Sequence, residues 1–570
     1  MPIVSRNAEL ENLSEEFFEI QNSVDPLSAT LLGISGYDDL LPDASRRGAH
    51  EGAARFWELE ERLGQLENET LSEPDQINKA VLERLAWAAR TDLTEGIWET
   101  DASSESYSSP HAMVFMCVPA AVVNCDADAD AYLTRLSKLA PFFDAITERF
   151  SQANREGRHS TRVGVRRSLD QLLGHLSLSI EEDTLAHPTS GPGINREMFT
   201  AASRSLVLES VRPAIARLCS LMTDEMLPVA RDDDHVGLCF VEGGEASYLK
   251  AVRRHTTTDL SPDAIHQIGL ERIAALHKEW SELGVRVLGE SDVATILTRL
   301  REDRALRFNT SHEIVNVVQS ALDRAEAARD DWFPAYDIAE CVIEEIHPIE
   351  AQSAALAHYR SPADGGKRPG AHCVLTTNPE DRFQYEYEAL AFHESTPGHH
   401  LQIATAQTLI DLPQYRRYLD AQVCGFVEGW GLYSERLADE MGLYSSDLAR
   451  LGMLSFDSLR ACRLVVDTGM HYFGWSRQRA VDYMWNNTAT TASNVANEID
   501  RYIGWPGQAL AYMIGRREIE RLRQVAEGQL GDSFNIRDFH GTVLGNGAVP
   551  LDVLELLVTK WIDRQLLAGR

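Results

Sequence analysis

The segment His393-Glu394-Ser395-Thr396-Pro397-Gly398-His399-His400 gathers three imidazoles and a carboxylate in one short stretch. That mixture suits a divalent cation. A zinc hydrolase needs three neutral or anionic side-chain ligands and an open position for water. It also needs a carboxylate beside that water to take its proton. The usual helical arrangement places two His four residues apart with Glu directly after the first. Here Pro397 stands where the second His would be.

On a regular helix His400 is turned about 700° from His393 and returns nearly to its face, while His399 points elsewhere. Pro397, however, lacks a backbone donor and clashes with the preceding turn, and Gly398 permits unusual dihedrals. We therefore expect a helix widened or kinked at a π-bulge. The inserted residues would bulge outward and His399 would supply the second ligand. His400 is the rival for that role; otherwise it would hydrogen-bond a ligand or the substrate.

The third ligand is expected from a following helix, in Phe426-Val427-Glu428-Gly429-Trp430-Gly431-Leu432-Tyr433-Ser434-Glu435. Glu428 is the first candidate. Glu435, seven residues on and on the same face, would orient a ligand; an exchange of these two roles stays open. A solvated helix face is the competing reading. Yet His393 follows Ala389-Leu390-Ala391-Phe392, and Glu428 follows Val423-Cys424-Gly425-Phe426-Val427. Polar groups emerging from such apolar runs are costly unless partnered.

The elements that must position these residues read mostly as helix. Apolar spacing predicts helices over 8–22, 52–95, 130–182, 201–227, 261–284 and 311–330. Tyr132, Leu136, Leu139, Phe143 and Ile146 form one buried stripe. Residues 23–50, His347-Pro348 and 359–366 read as loops. Residues 371–377 are the best strand candidate. Helices are then expected over 384–409, 414–440, 444–473, 476–486, 490–504, 506–530 and 551–568. The fold class is mainly α with one small β-sheet. The working division is a helical region 1–200, a helical middle region 201–345 and a metal-binding region 346–570, with interleaved lobes.

A chain of 570 residues exceeds a single core, so two or more lobes are expected. The net charge of −33 repels nucleic acid and anionic membranes. No apolar stretch approaches the ~18 residues needed to span a bilayer. The first residues lack a basic segment followed by an apolar one, so no signal peptide is expected. The eight cysteines are scattered, with no CxxC pair. That argues against a thiolate zinc site or a disulfide scaffold and for reduced thiols in a cytoplasmic protein.

The combined pattern His-Glu-x-x-Pro-Gly-His-His-Leu-Gln followed by Glu-Gly-Trp-x-Leu-Tyr-x-Glu resembles a widespread bacterial family of unknown function. The likeness extends to Pro26–Gly33, Arg463–His471, Pro506–Tyr512, Phe539-His540 and Gly547–Leu551. Its layout is similar to that of gluzincin-type helical metallopeptidases. Where relatives often carry Tyr-Tyr-Val-Asn, this chain has His372-Cys373-Val374-Leu375. The resemblance implies a large two-lobed, zincin-like helical fold enclosing a deep channel. It also implies that a late Tyr or His steadies the developing oxyanion. Tyr512 is the first candidate and His540 the second. Arg516 or Arg360 could grip a substrate carboxylate. Arg463, Asp467 and His471 recur every fourth residue, either bracing a helix or bringing His471 to the metal.

The expected function is metal-assisted hydrolysis of an amide in a short peptide or peptide-like molecule. His393, His399 and Glu428 would hold Zn²⁺ and Glu394 would be the base. Two alternatives stand beside it. One is a metalloenzyme acting on a C–N or related bond of a small metabolite, with Mn²⁺ or Fe²⁺ possible in the same ligand set. The other is a binding protein that has lost catalysis. A monomer or homodimer without a nucleic-acid or membrane partner is expected.

Overall fold

A computed structural model describes residues 7–105, 107–191, 193–346, 355–363, 368–419 and 422–568. Helices dominate, and the one named sheet among the described residues has three short strands. The expected mainly α class with a small sheet is what the chain adopts. No described helix is long and apolar enough to cross a membrane.

The chain divides into two units. The first comprises Met1–Lys250, Met470–Gln478 and Ile499–Pro506; the second comprises Ala251–Gly469, Arg479–Glu498 and Gly507–Arg570.

In the first unit the Asp126–Arg155 helix starts where Asp128 accepts the backbone N–H groups of Asn124 and Cys125. The stripe Tyr132, Leu136, Leu139, Phe143 and Ile146 is fully buried, in one core with Leu172, Val207, Ile215 and Leu218. Several expected boundaries move. Residues 130–182 are two helices, Asp126–Arg155 and Arg162–Ser177, separated by Gly157 at φ 78° and restarted by the N-cap Thr161. Residues 52–95 likewise split into Arg46–Gly64 and Glu73–Glu95, the second capped by Ser72 with Pro74 in its first turn. The loop expected over 23–50 contains the helix Pro26–Leu32, which Asp25 caps at one end and Gly33, at φ 71°, at the other. Asp25 and Gly33 share their residue types with loops, because capping draws on the same polar and glycine residues. Among the described residues, π-helical turns occur at Val207–Val211 and Met222–Met226.

The second unit carries the sheet. Strands β1 (Cys341–Glu345), β2 (Ala357–Arg360) and β3 (Gly370–Val374) lie in the order β1-β3-β2, with β1 parallel and β2 antiparallel to β3. Tyr359-Arg360, expected in a loop, are thus strand residues; pairing with buried β3 decides their conformation. His347-Pro348 and residues 364–366 fall outside the described residues. Every β3 residue is buried.

Three features of this unit set the position of the site. The helices Cys424–Glu440 and Ala511–Leu530 cross at glycines. A Cβ on Gly515 would sit 1.7 Å from the Gly425 carbonyl oxygen, and one on Gly429 would sit 2.5 Å from Gly515 Cα. Asp457, buried on the Asp447–His471 helix, takes Arg272, Arg436 and Arg516 on one carboxylate oxygen at 2.5–2.8 Å. This joins four helices, because Arg272 lies in Pro262–Leu288, Arg436 in Cys424–Glu440 and Arg516 in Ala511–Leu530. Asp467 accepts the backbone N–H of Gly507, which has φ 81° and precedes the 3₁₀ turn Gln508–Leu510 leading into Ala511–Leu530.

Candidate metal centre

The helix Tyr387–Glu394 stops at Glu394, and a separate helix, His399–Thr408, begins after Gly398. The expected π-bulge is therefore a complete break. Pro397 cannot donate to the preceding turn and disfavours helical dihedrals in Thr396 before it. The Thr396–Pro397 peptide is cis. A Cβ on Gly398 would lie 1.9 Å from the His393 carbonyl oxygen, so only glycine allows the chain to fold back so closely. Side chains tie the break down. Trp430 Nε1–H donates to the Pro397 carbonyl at 2.9 Å, and Thr396 Oγ1 donates to Glu326 at 2.6 Å. Ser434 Oγ lies 3.1 Å from the Phe392 carbonyl.

This break brings His399 to His393. Their rings are 4.7 Å apart and nearly perpendicular. Glu428, from the Cys424–Glu440 helix, completes the group: one ligand atom from each of His393, His399 and Glu428 lies within 4.8 Å of the others. Glu428 Oε2 is 3.4 Å from His399 Nε2 and 3.8 Å from His393 Nε2. The His393 side chain is 3% exposed and that of Glu428 20%, so solvent reaches the group from the Glu428 side. Gly431, one turn after Glu428, makes the space. A Cβ there would stand 2.8 Å from His393 Nε2 and 2.9 Å from His399 Cε1.

The electrostatics favour positive charge at this point. Burial works against protonation of His393, but hydrogen bonds to Glu428 and Glu435 and the charge of Glu394 outweigh it and push its pKa up to about 9. Burial also works against the Glu428 charge, yet the two imidazoles hold its carboxyl well below the usual carboxylate range. His393 Nδ1 is 2.9 Å from Glu435 Oε1. A carboxylate only accepts, so Nδ1 carries the hydrogen and Nε2 is the nitrogen directed to the group. A cation bound by two imidazoles and a carboxylate fits these donors, their burial and the hollow at Gly431.

Around this group stand the other candidates. Glu394, adjacent to His393, is 8% exposed. The Tyr512 ring stacks on His393, with centroids 6.3 Å apart, and the Arg463 guanidinium lies 4.2 Å from that ring. His400 does not join the cluster among the described residues. Its Nδ1 lies 3.0 Å from the Tyr359 hydroxyl, and it hydrogen-bonds the Ala339 backbone; burial pushes its pKa down to about 4. Gly370 makes room for this pair, since a Cβ there would be 2.9 Å from both His400 Nδ1 and the Tyr359 oxygen.

The remaining predicted residues are engaged elsewhere. Arg516 is buried in ion pairs with Asp457 and Glu520. Arg360, on β2, pairs with Glu344 on β1, the opposite edge of the sheet. His540 Nδ1 contacts the Trp332 carbonyl at 2.9 Å, its Nε2 lies 3.0 Å from the Tyr433 hydroxyl, and it packs edge-on to Trp430, so it buttresses the helix that carries Glu428. His471 belongs to the first unit, where Nδ1 accepts the Leu238 N–H and Nε2 faces the Tyr502 carbonyl at 3.0 Å. Both ring nitrogens brace backbone. At the unusual strand, His372 Nδ1 lies 3.2 Å from Ser395 Oγ, directly after Glu394.

Gly431 and Arg460 beside the group, and Tyr359 beside His400, have no role assigned from the sequence. Gly431 lay within the quoted motif, three residues after Glu428, and that spacing was its signal. Arg460 precedes Arg463 by three residues on the same helix, and that recurrence is its signal. Tyr359 carried no signal, because its contact with His400 depends on strand pairing.

No curated protein matches the chain significantly. Solved structures similar to it include two bacterial proteins. The "putative lipoprotein from Colwellia psychrerythraea" has 25% identity and a TM-score of 0.90, with 98% of this chain and 99% of that chain covered. The "putative lipoprotein of unknown function from Shewanella oneidensis" has 17% identity and a TM-score of 0.74, with 97% and 100% covered, and shows the fold alone. The Glu-bearing helix break, its capping tryptophan and the elements around them all lie within residues 26–558, which match one family along their whole length, and the chain belongs to that family, described as "Bacterial protein of unknown function (DUF885)".

Proposed function

We propose that the chain is a zinc-dependent hydrolase of amide bonds in short peptides or peptide-like small molecules. The observation that carries this reading is the convergence of His393, His399 and Glu428 within 4.8 Å, beside the carboxylate of Glu394. The layout of two imidazoles, an adjacent Glu and a Glu from a later helix is similar to that of gluzincin-type metallopeptidases, which supports it further.

When bound, zinc supplies the Lewis acidity that makes water nucleophilic near neutral pH; Mn²⁺ or Fe²⁺ would suit the same donors. Glu394 removes the proton from the attacking water and passes it to the leaving amine. Glu435 fixes the His393 tautomer through Nδ1. Tyr512, stacked on His393, offers its hydroxyl to the oxyanion that develops on the amide carbonyl. Arg463 holds the Tyr512 ring from α-helical backbone that is itself anchored by the Glu498 ion pair.

The test is a pair of measurements. Elemental analysis of purified protein is expected to give about one zinc per chain. Glu394→Gln is expected to keep that zinc and to lose hydrolysis of a short-peptide library by at least about 100-fold. Full turnover by Glu394→Gln would remove the mechanism. Zinc binding without cleavage of any peptide would favour instead a metalloenzyme acting on a C–N bond of a small metabolite.

A further inference from the structure

We infer that Arg460 is a positioning residue of the metal centre, acting through Glu435; this rests on the zinc reading above. Glu435 is 1% exposed and serves two neighbours with one oxygen. Its Oε1 accepts from His393 Nδ1 at 2.9 Å and lies 3.4 Å from the Arg460 Nη2. Its Oε2 makes no hydrogen bond among the described residues. A buried carboxylate with a single imidazole N–H is poorly compensated, and a buried ion is tolerated when an opposite charge faces it.

Arg460 is in the matching situation. It is 5% exposed, its guanidinium lies 4.7 Å from the Phe456 ring and 6.0 Å from the Tyr512 ring, and its Nε makes no hydrogen bond among the described residues. The facing carboxylate is Glu435. Arg463, one turn further along the same helix, is used differently: it is anchored on Glu498 at 2.7 Å and lies against Tyr512. The Asp447–His471 helix therefore delivers two guanidinium groups with separate tasks, one at the ring of the proposed oxyanion donor and one at the carboxylate that aims the first ligand.

The geometry makes the Glu435 orientation depend on Arg460. Without the guanidinium, a nearly dry carboxylate keeps only the His393 N–H. It would then turn toward solvent-accessible space or draw in water, and the imidazole would lose its fixed aim. Outer partners of metal-bound imidazoles typically change metal affinity about 10- to 100-fold. The single Nη2–Oε1 contact is not a bidentate fork, so a lysine ammonium should serve much of the purpose.

The test is zinc affinity, measured by competition with a chromogenic chelator on the full-length chain, with circular dichroism confirming the fold. Arg460→Met should weaken zinc binding about 10- to 100-fold, while Arg460→Lys should stay within about threefold of the parent. Arg460→Gln is the second neutral variant should the Met variant not fold, and the same loss is expected of it. Glu435→Gln should weaken binding by a similar factor, and Arg460→Met combined with Glu435→Gln should be no weaker than Glu435→Gln alone. Parental affinity in both neutral variants, or losses that multiply in the double variant, would overturn the inference while leaving the zinc reading intact. A parent chain that binds no zinc would overturn both.

Discussion

At the residue scale, Gly431 tests the geometry most directly. Its missing Cβ is the space in which two imidazoles meet, at 2.8–2.9 Å from where that atom would be. Gly431→Ala should therefore leave the helix intact, since alanine is the better helix former, and still weaken zinc binding by about 100-fold or more, as for loss of a ligand's support. Chelator competition beside a far-ultraviolet spectrum would check this; parental affinity would show that the rings do not meet there. His400 provides the contrasting prediction. Its Nδ1 faces the Tyr359 hydroxyl and it also bonds the Ala339 backbone, so His400→Gln should retain about one zinc per chain while His399→Ala should not. Equal loss in both would return His400 to the ligand set. The side chains at issue were legible in the sequence as chemical types, because a His-Glu pair emerging from apolar residues limits the readings. Pro397-Gly398 also pointed to His399 over His400, through an expected bulge, and His399 is the imidazole that meets His393; that the helix stops outright at Glu394 was not legible, since a pattern gives the period of a helix and not its end.

At the element scale, the site is assembled by helices whose crossing distances are set by glycine. With Gly425, Gly429 and Gly515 at the contact, the Cys424–Glu440 and Ala511–Leu530 helices approach backbone to backbone. This brings Tyr512 and the Glu428 helix to the same place. Gly515→Ala should cost about 2–3 kcal/mol or more, because a methyl group 1.7 Å from a carbonyl oxygen must push two packed helices apart. Chemical denaturation would show it as a lower midpoint at unchanged slope. The Asp457 junction is the charged counterpart. Asp457→Ala leaves Arg272, Arg436 and Arg516 without their shared acceptor, and a loss on the order of 3–5 kcal/mol is expected from uncompensated buried charge. Helix stripes such as Tyr132 to Ile146 were readable, because apolar spacing maps directly onto a buried face. The boundaries at Asp25, Gly33, Ser72, Gly157 and Thr161 were carried by single capping or positive-φ residues, which look like loop composition until a helix is seen on either side. The crossing at three glycines had no signal of its own, since glycine in a helix marks either weakness or contact, and only the partner helix decides.

At the scale of the whole molecule, acid is expected to destabilise both units through histidines kept neutral by burial. His111 and His471 in the first unit are pushed down to about 4, and His372 and His540 in the second to about 3, from an ordinary value of 6.5. Between pH 6.5 and about 4 the unfolded chain binds protons at these positions and the folded chain does not. Stability therefore rises with pH across that window, is complete above it, and is lost as pH falls through it. Thermal melts from pH 7.5 to 4.5 should show a falling midpoint, partly restored by His111→Gln; a flat profile would mean that these rings are not held neutral. Metal removal gives an independent reading: chelation should lower the melting point, since a ligand present at about 1,000 times its Kd stabilises by about 4 kcal/mol. The mainly α class and the small sheet were legible from composition and pattern; interleaved lobes were expected too, but that Met470–Gln478 and Ile499–Pro506 are the segments belonging to the first unit follows from contacts far apart in the chain. The break at Ser395–Gly398 has a consequence for recognising such centres elsewhere. Because His393 and His399 ride on separate helices, the interval between them is not tied to a helical turn, and chains with one residue more or fewer at the break could present the same two nitrogens. A genome search keyed to two histidines four residues apart passes over such proteins; one keyed to His-Glu, a short stretch ending in Gly-His, and a later Glu-x-x-Gly would find them.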